Sequence, residues 1–168
     1  EFSDMIQIPD IDTAVVDPFR EIPTLSFFTK LHLTDQDRSR FDQDPRWVAE
    51  KAESFLIESG AGDQSWWGPE YEFYIFSEVE YDTRTSASYY FVKHVEEFHH
   101  NAYHACNPKD LYDDFRDLAV QHLLRLGIDV KYHHHEVGER GQQEIELMFN
   151  GLLKTADEAI LPKYVLFN

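Results

Sequence analysis

Gly68-Pro-Glu-Tyr-Glu-Phe-Tyr-Ile-Phe76 decides how the rest of the chain is read. Its Gly-Pro pair breaks the preceding loop. The aromatic and β-branched residues from Glu70 to Phe76 then predict a strand. Side chains two apart on a strand share a face, roughly 6–7 Å from one another. Glu70 and Glu72 therefore point one way, while Tyr71, Phe73 and Ile75 point the other way into something apolar. Two adjacent carboxylates repel unless a proton or a cation lies between them. Fixed on a rigid strand, such a pair suits a hard divalent cation.

Working outward, His133-His-His-Glu-Val137, Gly138-Glu-Arg-Gly141 and Gln142-Gln-Glu-Ile-Glu146 predict two strands joined by a short glycine-containing turn. On the first arm Val130, Tyr132, His134 and Glu136 share a face; on the second, Gln142, Glu144, Glu146 and Met148 do. Glu136 and Glu144 flank the turn and can converge. Glu70, Glu72, Glu136 and Glu144, on three strands with no cysteine nearby, make an oxygen-rich site of the kind Mg²⁺ or Mn²⁺ takes. Each piece has a plainer explanation when taken alone. Glu70 and Glu72 would be solvated residues of an edge strand, and the histidine run an incidental metal-binding tract.

The 168 residues are 42% hydrophobic and 15% aromatic, enough for a real core and about one domain. Against 15 lysines and arginines stand 32 acidic residues, a formal charge of −17. That field repels nucleic acid and anionic membranes and favours cations. No run is long and apolar enough to span a bilayer, and no signal-peptide pattern is present. The single Cys106 excludes an intrachain disulfide and fits a reducing cytoplasm.

Met5–Ile8, Thr13–Val16 and Thr24–Phe28 are short strand candidates broken by prolines, and Thr34–Asp44 reads as a loop. Asp44-Pro45 predicts a capped helix start, with Val48, Ala52, Phe55, Leu56 and Ser59 inward and Gly60 ending it. Thr83–Phe91 fits either a strand or a loop. Asn107-Pro108 predicts a second helix start, with Leu111, Phe115, Leu118, Ala119, His122, Leu123 and Leu126 along one side and Gly127 as the stop. A last helix is expected from near Asn150 to Pro162, with Leu152, Leu153, Ala156 and Ile160 inward, followed by an apolar run from Lys163 to Phe167. The order implies an α+β fold, an antiparallel sheet with helices on one side. His94, His99, His100 and His104 read as a surface or partner-facing cluster, Glu139 and Glu146 as turn and sheet-surface charges, and Trp66 and Trp67 as packing residues.

These blocks resemble a known family. Ser3-Asp-Met5 with Pro9-Asp10 and Asp17-Pro-Phe19, the Gly68–Phe76 stretch, and His134-His-Glu-Val137 with Gly141-Gln142 and Glu144-Ile145 are similar in order and spacing to glutamine synthetase of the prokaryotic type. Asp44-Pro-Arg46, Leu153–Asp157 and Lys163-Tyr-Val165 fit the same pattern. The resemblance covers essentially the whole chain. It implies residues 1–41 as the tail of an N-terminal β-grasp domain and linker, and 42–168 as the first part of the catalytic domain.

The activity implied is ATP-dependent ligation of ammonia to the γ-carboxylate of glutamate through γ-glutamyl phosphate, with two Mg²⁺ or Mn²⁺ ions. Carried over by motif, Glu72, Glu136 and Glu144 would hold the metal serving glutamate and the transferring phosphate, and Glu70 would be one ligand of the metal on the nucleotide. His134 and His135 would line the same region beside Glu136, on the substrate side or behind the ligands. Lys131 stands where relatives commonly carry an acidic residue contacting the nucleotide, and Asn101-Ala102-Tyr103 replaces a common Gly-Gly-Tyr. The family also implies a cytoplasmic, double-ring homo-oligomer. Most of the β-grasp domain and everything after Asn168 in the family pattern are absent, so this chain alone is expected to be inactive. Two other functions fit the same residues: a glutamate ligase using another amine, and a non-catalytic assembly protein.

Overall fold

All strand pairing in the computed structural model, which describes residues 4–95, 102–138 and 140–168, is antiparallel. In chain order the elements are β1 (Ile6–Pro9), β2 (Val15–Val16), β3 (Leu25–Ser26), β4 (Thr29–His32), α1 (Pro45–Glu58), β5 (Glu70–Tyr74), β6 (Phe76–Thr83), β7 (Ser88–His94), α2 (Asp113–Arg125), β8 (Val130–His135), β9 (Gln142–Leu147), α3 (Leu152–Glu158) and α4 (Leu161–Phe167). The strands form a three-stranded sheet in the order β5-β9-β8 and the two-stranded ribbons β1-β4, β2-β3 and β6-β7. The undecided stretch Thr83–Phe91 is the turn and second arm of the β6-β7 hairpin, closed by the Arg84 N–H to the Ala87 carbonyl at 2.8 Å. His99, His100, Asn101, Glu139 and Ser3, singled out above, lie outside the described residues.

The chain forms two compact units. The first comprises the segment up to Pro69 with His122–Asp129 and Met148–Asn168; it holds β1–β4, α1, α3 and α4. As expected, Asp44 caps α1, its Oδ1 accepting the Arg46 N–H at 3.1 Å, with Pro45 in the first turn. Gly60, at φ +72°, follows the end of that helix in the left-handed conformation.

The expected inner stripe of α1 is wrong. Val48, Ala52, Phe55 and Ser59 are exposed, and Leu56 is half-buried. The buried residue is Arg46, whose Nε and Nη2 meet the two oxygens of Asp157 on α3 at 2.8 and 2.9 Å, with Asp10 Oδ2 at 2.9 Å from Nη2. The helix is seated by a buried, bidentate ion pair, a device that apolar periodicity does not register. α3 likewise turns Thr155, Asp157 and Glu158 inward, while Ala156 and Ile160 are exposed.

The single C-terminal helix expected to stop at Pro162 is two. α3 ends at Glu158, and Pro162 sits in the first turn of α4, where a missing N–H costs no hydrogen bond. Lys163–Phe167 is therefore helical.

The second unit comprises Glu70–Gln121 and Val130–Leu147. Here the start of α2 differs from expectation. Residues 107–109 form a turn, and the helix begins at Asp113 with Asp113 and Asp114 in its first turn, where the helix dipole favours anions. Asn-Pro is as good a turn signal as it is a helix start. Leu111, Phe115 and Leu118 are exposed.

Arg116 is buried instead, at 1% exposure. Its guanidinium donates to Asp110 at 3.1 and 2.5 Å, to Asp113 at 3.2 Å, to the Gln143 side-chain oxygen on β9, and to His133 Nδ1 on β8 at 3.3 Å. Burial alone would raise the Asp110 carboxyl, but the Arg116 hydrogen bonds outweigh it and hold the group below its ordinary value.

Removing Arg116 strands a buried carboxylate. Arg116→Leu should cost about 3–5 kcal/mol in denaturant unfolding. Arg116→Leu/Asp110→Leu should cost clearly less than the single variant, because no charge is left unpaired. Equal losses would show that the pair is not the source of the stability.

Candidate metal centre

β9 is the middle strand of its sheet, so its residues from Gln143 to Glu146 face a neighbour on both sides. Glu144 lies opposite Glu72 on β5 and His134 on β8; Glu146 lies opposite Glu70 and Tyr132. Residues directly opposite in an antiparallel pair share a face. One face therefore carries Glu70, Glu72, Glu144, Glu146, Tyr132 and His134. Just beyond β8, the Glu136 N–H donates to the Gln142 carbonyl at 2.8 Å, which extends the pairing and delivers its carboxylate to the same place.

Ligand-type atoms converge there in two groups, each within 4.8 Å: His134, Glu136 and Glu144, and Glu70, Glu144 and Glu146. Glu144 belongs to both. Of the four glutamates selected from sequence, Glu70, Glu136 and Glu144 thus fall in these groups. Glu72 lies opposite Glu144, and its Oε2 accepts from Gln142 Nε2 at 2.6 Å.

One expectation is corrected. Glu146 is no surface charge: it is 6% exposed and belongs to the second group. The signal was present in sequence, since Glu146 lies two residues from Glu144 on a strand. His135 lies on the other face of β8 from His134. Consecutive strand residues face opposite ways, and His135 is 1% exposed with Nδ1 2.8 Å from the Glu136 carbonyl, behind the carboxylate face. His134 remains on the carboxylate face, Nε2 3.5 Å from Glu144 and its ring 4.8 Å from that of Tyr103.

His133 also turns away. With Asp113 and Asp117 it forms a third group of ligand-type atoms. Arg116 donates to its Nδ1, so Nε2 carries the proton and donates to Asp117 at 3.1 Å, which leaves no ring lone pair for a metal.

Lys131 falls where the β8-β9 register shifts, between Val130 and Tyr132. Such an irregularity re-aims a side chain. Its Nζ reaches Glu146 Oε1 at 2.6 Å and lies 4.9 Å over the Tyr132 ring.

The carboxylates do not titrate alike. Burial pushes Glu144 up to about 8, helped by its hydrogen bond to Glu136 and by the charges of Glu136, Glu70 and Glu72. Burial acts upward on Glu136 too, but the hydrogen bond from Glu144, the Val137 N–H at 2.6 Å and the histidines hold it low. The two share one proton. Glu146 is held low by hydrogen bonds from Lys131 and Tyr132. Tyr103 is raised by burial and by the negative charges of Glu136, Glu144, Glu146 and Glu70. Tyr103 and Glu146 are the residues at the site that the sequence reading passed over.

Comparison with known proteins gives the family. The family described as glutamine synthetase, catalytic domain, matches residues 42–168. A glutamine synthetase of Mycobacterium bovis is 38% identical over 188 residues, covering 99% of this chain and 39% of the relative. One from Frankia alni is 40% identical over 99% of this chain and 38% of its own length. A 3-hydroxylaminophenol mutase of Cupriavidus pinatubonensis is 37% identical, over 100% and 39%. The chain therefore spans about two fifths of the length of the curated relatives it matches. In fold it is similar to a Plasmodium falciparum glutamine synthetase solved by cryo-electron microscopy, with a TM-score of 0.85 at 22% identity over 98% of this chain and 35% of that one. By its catalytic-domain match and by relatives aligned along nearly its whole length, the chain belongs to the glutamine synthetase family.

Proposed function

We propose that the chain supplies the carboxylate face of an ATP-dependent glutamate–ammonia ligase, which joins ammonia to the γ-carboxylate of glutamate through γ-glutamyl phosphate. The observation that carries this reading is the convergence of His134, Glu136 and Glu144 within 4.8 Å, on strands that also present Glu70 and Glu72. The donors are carboxylate oxygens and one imidazole, with no thiolate among them, a set that fits Mg²⁺ or Mn²⁺. In this reading Glu136, Glu144 and Glu72 hold one cation, and Glu70 contributes to a second on the nucleotide. Once bound, such ions neutralise the anionic substrates and the transferring phosphoryl group. His134 orients Glu144 from the strand beside it, and His135 fixes the Glu136 backbone from behind.

Residues 42–168 would be the first part of the catalytic domain and 1–41 the tail of the preceding one. ATP, glutamate and ammonia as substrates, a double-ring homo-oligomer and a cytoplasmic location belong to the same proposal. No helix among the described residues is long and apolar enough to cross a membrane. The ligase reaction is expected of the longer protein, of which these residues span about two fifths by comparison with relatives. The mutase relative supplies the counter-test: phosphate release dependent on ATP, glutamate and ammonia supports the ligase, and isomerisation of 3-hydroxylaminophenol without it refutes it.

Glu136→Gln removes a charge from the shared proton pair while keeping the shape of the side chain. Mn²⁺ affinity, followed by calorimetry, should fall by at least the roughly 10–100-fold that loss of an outer-shell partner already costs. Melting without metal should be unchanged or raised, because one repelling charge is gone. Wild-type Mn²⁺ affinity in this variant would refute the assignment.

A second expectation concerns pH. Glu144 is protonated below about 8 and must lose that proton to ligate a cation. Apparent Mn²⁺ affinity should therefore rise about tenfold per pH unit between pH 6 and 8 and level off above. Calorimetry at pH 7 in buffers of differing ionisation enthalpy should register release of about one proton per ion bound. A flat profile would place the cation away from Glu144.

A further inference from the structure

The sheet face carries five carboxylates, and Lys131 is the lysine or arginine ion-paired to it among the described residues. The two partners are placed very differently. The Glu146 side chain is 8% exposed and anchored in the middle strand, whereas that of Lys131 is 45% exposed at the register shift of β8, an outer strand. A buried ionised carboxylate is costly without a counter-charge. A half-exposed ammonium on a flexible stem can leave it at little cost.

Glu146 has a second claim upon it. Its oxygens lie within the same 4.8 Å group as those of Glu70 and Glu144, the arrangement a divalent cation takes up. Lys131 thus holds Glu146 in the absence of such a cation and stands in its way when one arrives.

We infer that Lys131 is an internal counter-cation of this face, competing with a divalent cation for Glu146 and setting how tightly the Glu70–Glu144–Glu146 group takes one. The inference rests on the metal-centre reading proposed above and extends it to a residue whose charge is opposite to that of a ligand. Lys131 acts through Glu146 as a positioning residue and needs no contact with the cation. Removing one positive charge about 3 Å from a ligand oxygen deepens the local negative field at short range, where screening is weak.

The test is Mn²⁺ titration of the purified protein and its variants, reading free Mn²⁺ by electron paramagnetic resonance. Lys131→Met keeps an unbranched stem of similar length and removes the charge, with it the ammonium over the Tyr132 ring; Lys131→Gln provides an independent neutral version. Both should bind Mn²⁺ about tenfold more tightly or take up an additional ion at the same free concentration. Lys131→Met/Glu146→Gln should lose that gain, since the carboxylate being contested is gone. Unchanged binding in both Lys131 variants overturns the inference, as does a gain that persists in the double variant, which would mark a general field effect. Glu136→Gln serves as the control. If the unsubstituted protein shows no Mn²⁺ binding sensitive to it, the metal-centre reading fails and this inference with it. If that binding is present and the Lys131 variants do not alter it, only the inference fails.

Discussion

Carboxylates crowded onto one sheet face repel each other, and the face survives only because its strands are gripped from behind. Arg116 supplies that grip. From α2 it bonds Gln143 on β9 and His133 on β8, the residues next in sequence to Glu144 and His134. Strand alternation turns each bonded residue inward and its neighbour outward, so a guanidinium on one face sets the spacing of ligand-type groups on the other. Asp110 completes the arrangement by pairing the buried guanidinium, whose charge would otherwise be uncompensated. The repulsion that remains is relieved by a proton on Glu144 and an ammonium on Glu146. In the metal-centre reading proposed above, both give way to a divalent cation.

The first unit uses the same physics without the crowded carboxylate face. Arg46 joins α1 to Asp157 on α3 and to Asp10 near the start of the chain, a buried cation between two anions. Large apolar residues meanwhile stand outside, among them Phe55 at 71% exposure. In both units the deeply buried, geometry-setting residue is an arginine in a forked ion pair. Such pairs specify orientation more sharply than methyl groups do, at a larger desolvation cost.

This explains which parts were legible in sequence. The β8-β9 hairpin was, because Glu136 and Glu144 flank a short glycine-containing turn, and so was the shared face of Glu70 and Glu72, two apart on a strand. The α+β class was legible from the same alternation and from the helix caps. The inner face of α1 was not, because apolar periodicity cannot register an arginine that is buried only because Asp157 lies far along the chain. Asn107-Pro108 misled because the pair serves turns and helix starts alike. The histidine run looked like three equivalent groups, yet alternation sends His133 and His135 to one side and His134 to the other. Glu146 had the right parity, but an extra acid in an acidic chain carries little weight without a partner, and Lys131 reaches it only through a register shift that the sequence does not announce.

The turn between β8 and β9 ties its own shape to a distant strand. Gln142 accepts the Gly138 N–H at 2.9 Å with its side-chain oxygen and donates its amide to Glu72 at 2.6 Å, so one side chain links loop to β5. A Cβ at position 138 would collide with that amide and with the Tyr74 hydroxyl. Glycine leaves room there for the ends of the Gln142 and Tyr74 side chains. A methyl group at position 138 would shift the end of the very side chain that holds Glu72, so the room left by Gly138 bears on a carboxylate sixty-six positions earlier.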